Sequence, residues 1–146
     1  RIADPRLKEK RVGVVAGSPP ATHMARNGLI GNARGYRLMV DRRVESPAEQ
    51  AIDDLKSGEV DAVILWGPIG GYHAKFAGLS VVPLLKEDGA PRLFYRITMG
   101  VRQGELTWKR QLNRFIRRNQ KEIDSVLAGY GVPLLDDQGK APKAPE

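Results

Sequence analysis

SPAEQAIDDLKSGEVDAVILW, residues 46–66, is the stretch that decides the fold of this chain. Ser46 has the side chain of a helix N-cap, Pro47 suits the first helical position, and Glu49 completes a capping box. Ala48, Ala51, Ile52 and Leu55 recur at helical spacing and make one apolar face. Gly58 supplies the left-handed residue that closes a helix. VDAVILW, residues 60–66, then reads as a near-continuous apolar strand, as expected of a parallel strand covered on both faces.

Outward from this unit the alternation continues. RVGVVAG, 11–17, predicts a short buried strand and a turn. A helix is expected over 21–31, with Met24, Leu29 and Ile30 inward, and a second strand over YRLMVD, 36–41. Beyond residue 66 the pattern predicts a short helix at 72–77 and strands at 79–85 and 93–101. Two amphipathic helices follow, the first with Trp108, Leu112, Phe115 and Ile116 on one side, the second with Ile123, Val126 and Leu127. The Pro- and Lys-rich end, 136–146, is expected to be disordered. Strand–helix–strand order implies an α/β fold with right-handed crossovers, and the later strand and helix pair can belong to a different layer or lobe.

Composition narrows the classes. Of 146 residues, 41% are apolar and 28% charged, the balance of a globular core. No apolar run reaches the roughly 20 residues that span a bilayer. The N-terminus does not look like a secretion signal, so an exported protein would already have lost its leader. There is no cysteine, which removes disulfides, thiolate nucleophiles and Cys-type zinc sites. A formal charge of +7 favours acidic partners.

Three segments carry a family likeness: KEKRVGVVAGSPP, SPAEQAIDDLKSGEVDAVI, and LFYRITMGVRQGELTWKRQLNRFIRRNQKEIDSVLAGYGVP. Together they resemble the type II periplasmic solute-binding proteins over residues 7–135. More narrowly, AGSPPATHMARNGL with ILWGPIGGY looks like the solute-binding-like proteins encoded beside quinoprotein methanol dehydrogenases, the MxaJ/XoxJ type. The resemblance implies an α/β lobe with a mixed, mainly parallel sheet flanked by helices. In that scheme residues 1–11 lead in through the hinge, 12–93 form the second lobe, and 94–135 return to an incomplete first lobe. It also implies a periplasmic accessory protein that aids maturation or activation of a PQQ-dependent methanol dehydrogenase, with the enzyme, and possibly its cytochrome c, as partner.

The site residues follow from that resemblance. Relatives clamp an anion at a helix N-terminus beside a Ser or Thr, here Ser18 after Gly17. Pro19 and Pro20 have no N–H to give, and Thr22 compensates only in part. Where relatives place a carboxylate for a ligand amine, five residues beyond Asp61, this chain has Trp66. Gly67, Gly70 and Gly71 permit close approach of a backbone or a ligand, with Tyr72 beyond them. The expected site is therefore a cleft with an aromatic floor. Trp66 reads equally as a core residue at a strand end, and Ser18 as an ordinary cap. His23 and His73 lack metal-site spacing, and no nucleophile elbow, carboxylate pair or phosphate loop occurs, so no metal, cofactor or catalysis is expected.

The first C-terminal helix combines its apolar side with Arg110, Arg114 and Arg117 among a run of cations. That surface is either a solvated face, a docking surface for an acidic protein, or a contact between two copies of the chain. Nucleic acid is not expected, because no stacking aromatics are interleaved. A solute receptor feeding an ABC-type membrane permease, or an enzyme like the cyclohexadienyl dehydratases, remain alternatives on the same scaffold.

Overall fold

The computed structural model describes residues 1–41, 43–136 and 140. The expected disorder of 136–146 lies outside the described residues, apart from 136 and 140. Strand β1 (Val12–Val15) is followed by helix α1 (Pro19–Arg26), β2 (Ala33–Tyr36), α2 (Pro47–Ser57), β3 (Ala62–Ile64) and α3 (Gly67–Phe76). Helices α4 (Leu106–Arg118) and α5 (Gln120–Gly129) close the sequence. The sheet order is β2-β1-β3, and both pairings are parallel.

The deciding stretch folds as its residues predict. Ser46 Oγ accepts from the Glu49 amide at 3.4 Å, Pro47 opens α2, and Gly58 closes it at φ 79°. Ala51 and Ile52 are buried. The chain then turns through Asp61, whose carboxylate accepts from the Arg11 amide at 2.8 Å while its own amide donates to the Arg11 carbonyl at 2.8 Å. That reciprocal pair sets β3 beside β1 and, with the Arg11 side chain nearby, holds the Asp61 carboxyl below its usual range. The Gly-x-Val-Asp run at 58–61 thus ends one helix and starts the ladder.

Alternate residues of β1 feed two faces. Val12 and Val14 join Ile2, Met24 and Leu29 in one buried cluster under α1. On the opposite face a Cβ at Gly13 would lie 2.9 Å from the Tyr36 ring and 3.3 Å from Val63. The Tyr36 ring occupies the space that Gly13 leaves open, and its hydroxyl donates to Asp54 Oδ2 of α2 at 2.7 Å. Arg34 Nε also reaches that oxygen, at 2.6 Å.

Burial, and then the Asp54 carboxylate, push the Tyr36 phenol up to about 12. An unfolded tyrosine ionises near 10, so this contribution is intact below about pH 10 and is lost as pH rises toward 12. Tyr36→Phe should therefore cost roughly 1–2 kcal/mol at neutral pH. The gap between the two proteins should close between pH 10 and 12 in urea unfolding. A gap independent of pH would refute the Tyr36–Asp54 linkage.

Several expectations are corrected. The second strand is Ala33–Tyr36 rather than 36–41, because Val12 pairs with Ala33 and Val15 with Tyr36. Leu38 and Met39, expected inside it, are exposed. Helix α1 starts at Pro19 and ends before Gly28, whose φ is 69°, so Ile30 falls outside the helix and is half-exposed. Helix α3 starts at Gly67 instead of residue 72, since Pro68 suits its first turn. Segments 79–85 and 93–101 have no regular secondary structure and join no ladder, touching the core through Leu84 and Leu93. The sheet is consequently parallel throughout among the described residues, not mixed.

Candidate functional site

The order β2-β1-β3 creates a topological switch. The connection leaving β1 runs to β2 on one side, while β3 lies on the other and sends its chain onward into α3. In open parallel sheets ligands sit in the crevice at such a point, beyond the carboxyl ends of the two strands. Val14 stands opposite Ile64, so the switch point lies between the β1–α1 turn and the β3–α3 turn. Gly17, Ser18 and Pro19 occupy the first turn and Trp66 and Gly67 the second, so the structure sets these predicted residues at neighbouring strand ends.

On the β1 side the anion chemistry is weak. Gly17 takes φ 73°, and Ser18 follows as N-cap residue of α1 without a capping hydrogen bond. Both Ser18 donors turn back to the Val15 carbonyl, Oγ at 2.6 Å and the amide at 3.2 Å. Pro19 and Pro20 fill the first two helical positions, so Ala21 is the first residue of α1 with an amide hydrogen. The Thr22 amide donates to the Ser18 carbonyl at 3.2 Å, and the residue is exposed. His23, one position on, is buried and donates through Nε2 to the Pro91 carbonyl at 2.7 Å, which explains it as a core residue.

On the β3 side the surface is aromatic. Trp66 is the N-cap residue of α3 and is 55% exposed, which sets aside the reading of it as a core side chain. Tyr72 is 41% exposed and packs on Phe76 at 4.9 Å, edge-on to His73 at 5.3 Å, and stacked on Tyr130 at 6.3 Å between centroids. Phe76 and Tyr130 were missed from the sequence. The i, i+4 spacing of Tyr72 and Phe76 was the available signal for the first. Nothing local to Tyr130 marks it.

The glycines of α3 serve the chain's own backbone. A Cβ at Gly67 would lie 2.8 Å from the Pro133 ring, and one at Gly71 would overlap the Gly131 carbonyl oxygen. Lys75 Nζ donates to the Gly129 carbonyl at 2.5 Å. Residues 130–133 thus lie as a strap along α3, and Gly67 and Tyr72 form the edge of the aromatic surface where the strap meets it.

The remaining predicted surface lies on α4. Trp108 and Phe115 are exposed, Leu112 and Ile116 are half-buried, and Arg110, Arg114 and Arg117 are exposed. Among the described residues no group of three or more His, Asp or Glu side chains could hold a metal ion, and no helix is long and apolar enough to cross a membrane.

Comparison with known proteins places these features. No protein-family model matches the chain. Adenine phosphoribosyltransferase of Agrobacterium fabrum (strain C58) is 28% identical over 109 residues, which is 75% of this chain and 52% of that protein. The chain thus spans about half the length of that curated relative. Among solved structures, agreement is far closer and extends to three dimensions. Over 94% of its length, at 39% identity and a TM-score of 0.80, this chain matches 62% of the periplasmic binding protein XoxJ from Methylobacterium extorquens AM1, and its fold is XoxJ-like.

Proposed function

We propose that this chain acts in the periplasm as a non-catalytic binding protein for a PQQ-dependent methanol dehydrogenase, of the lanthanide or calcium type, and aids that enzyme's maturation or activation. The observation that carries this reading is the match to XoxJ at 39% identity across 94% of the chain. The phosphoribosyltransferase match is thinner in both identity and coverage and carries no function here. Residues 12–93 correspond to the second lobe of a solute-binding fold, and 94–135 to its return toward the first. The enzyme's cytochrome c is a second partner on the same reading.

The docking site is the crevice between Gly17, Ser18, Pro19 and Thr22 on one side and Trp66, Gly67 and Tyr72 on the other. Those seven residues include no carboxylate and no imidazole, so they offer neither a general base nor a counter-ion. They offer an exposed indole and a phenol, the side chains that anchor protein interfaces. A solute receptor for a permease is the second reading, favoured by the crevice's place at the switch point.

Titration with the dehydrogenase tests the proposal. Saturable binding is expected, and Trp66→Ala should weaken it about 30-fold, the loss of one anchor worth roughly 2 kcal/mol. Absence of binding by folded protein at tens of micromolar would overturn it. A small solute that stabilises the protein by about 2.7 kcal/mol at 100 times its dissociation constant would favour the receptor instead.

A further inference from the structure

We propose that Asn27–Gly28 is a covalent modification site, a succinimide-forming pair that the C-terminal cap of α1 holds closed while the chain is folded. The inference is independent of the aromatic crevice and of any partner.

Sequence and fold create the pair together. Helix α1 ends at Arg26, Asn27 is its C-cap, and Gly28 follows at φ 69°, a backbone conformation that glycine adopts freely. The Gly28 amide donates to the Ala25 carbonyl at 3.1 Å, and the Leu29 amide to the Met24 carbonyl at 2.9 Å. Those two bonds make a Schellman cap, and Met24 and Leu29 are both buried in the core cluster beneath it. The left-handed turn thus calls for glycine after the cap residue, and here the cap residue is asparagine. Asn32, Asn113 and Asn119 precede Ala33, Arg114 and Gln120 instead, whose side chains crowd the attacking nitrogen.

The chemistry needs no reagent but water. The Gly28 nitrogen gives its proton to solvent base and attacks Asn27 Cγ. The Cγ–Nδ2 bond breaks, ammonia leaves with a proton from water, and a five-membered imide remains. Water then opens the imide at either carbonyl, leaving aspartate or isoaspartate where Asn27 stood.

In the folded chain each reacting group is tied down. The proton of the attacking nitrogen is bonded to Ala25, and Nδ2 of Asn27, the leaving group, donates to the His23 carbonyl at 2.8 Å. Asn27 holds φ −94° and ψ 8°. Turning the Gly28 nitrogen toward Cγ means rotating that ψ, which breaks the Gly28 and Leu29 bonds together. Reaction therefore waits for the last turn of α1 to open. The product cannot restore the cap. A carboxylate only accepts, so the donation to His23 is lost, and its charge sits at the negative end of the helix. Isoaspartate also adds a carbon to the main chain.

The test incubates the full chain in mildly alkaline buffer, folded or unfolded in guanidinium chloride. Peptide mapping follows the amide-to-acid mass gain at residue 27. The unfolded chain should convert roughly tenfold faster or more. Met24→Ala leaves residues 27 and 28 unchanged but loosens the cap, and should speed conversion in buffer. Asn27→Gln should abolish it in both conditions. Converted protein, separated by ion exchange, should unfold at lower denaturant than intact protein. Four results would overturn the proposal: equal rates folded and unfolded, no conversion at residue 27 in the unfolded chain, no acceleration by Met24→Ala, or an unchanged midpoint after conversion.

Discussion

Gly71→Val should lower stability by about 3 kcal/mol and release the strap at 130–133. Gly71 is buried, and the atom that a new Cβ would meet is the backbone carbonyl of Gly131, not the free end of a side chain. The contact is reciprocal: a Cβ at Gly131 would lie 2.5 Å from the Gly71 carbonyl oxygen, and Gly131 already holds φ 77°. Neither backbone can shift without lifting Pro133 from Gly67 and Tyr130 from Tyr72. Urea unfolding gives the cost, and Gly129→Ala is the control, since nothing lies within 4 Å of a Cβ there. A Gly71→Val protein with an unchanged midpoint would show that the strap does not lie on α3. Because both glycines serve one contact, the double variant should lose less than the sum of the singles.

Met24→Ala should cost about 2–5 kcal/mol, the transfer of the lost side chain plus the cavity it leaves. Met24 is fully buried at 0% exposure, packed with Ile2, Val12, Val14 and Leu29 beneath α1. Ile30→Ala makes the contrast. Sequence periodicity puts Ile30 inward with Met24 and Leu29, but the helix ends at Arg26 and leaves Ile30 at 50% exposure. Its truncation should stay within about 0.5 kcal/mol. Comparable losses at the two positions would contradict the observed end of α1.

Those two residues show what was legible and what was not. Helix α2 could be read to the residue because its signals are local: a capping serine, a proline at the first turn, a left-handed glycine. The parallel neighbours of β1 follow from strand–helix alternation. The register of β2 does not, because it depends on the ladder from Val12 and on Tyr36 lying over Gly13, contacts between residues far apart in sequence. Apolar alternation at 79–85 and 93–101 shows a tendency to extend, but a strand also needs a neighbour to bond with, and none is present there among the described residues.

The crevice was legible in part. Ser18, the two prolines and Trp66 could be placed at strand ends from spacing and family likeness. The glycines after Trp66 were read as sites of close approach, but what approaches at Gly67 and Gly71 is this chain's own strap. That role comes from residues some 60 positions downstream, which no local pattern at 67–71 encodes. The aromatic cluster is thereby narrowed to Tyr72, Phe76 and Tyr130, held on a helix whose position the strap fixes, with Trp66 exposed at the start of that helix.

Hydrogen–deuterium exchange of this chain, with and without quinoprotein methanol dehydrogenase, tests the central claim most directly. The account predicts slower exchange in α3 and the β1–α1 turn when the enzyme is added, and no such slowing with millimolar zwitterionic amino acids. Protection of those segments by an amino acid, with the dehydrogenase leaving them unchanged, would contradict it.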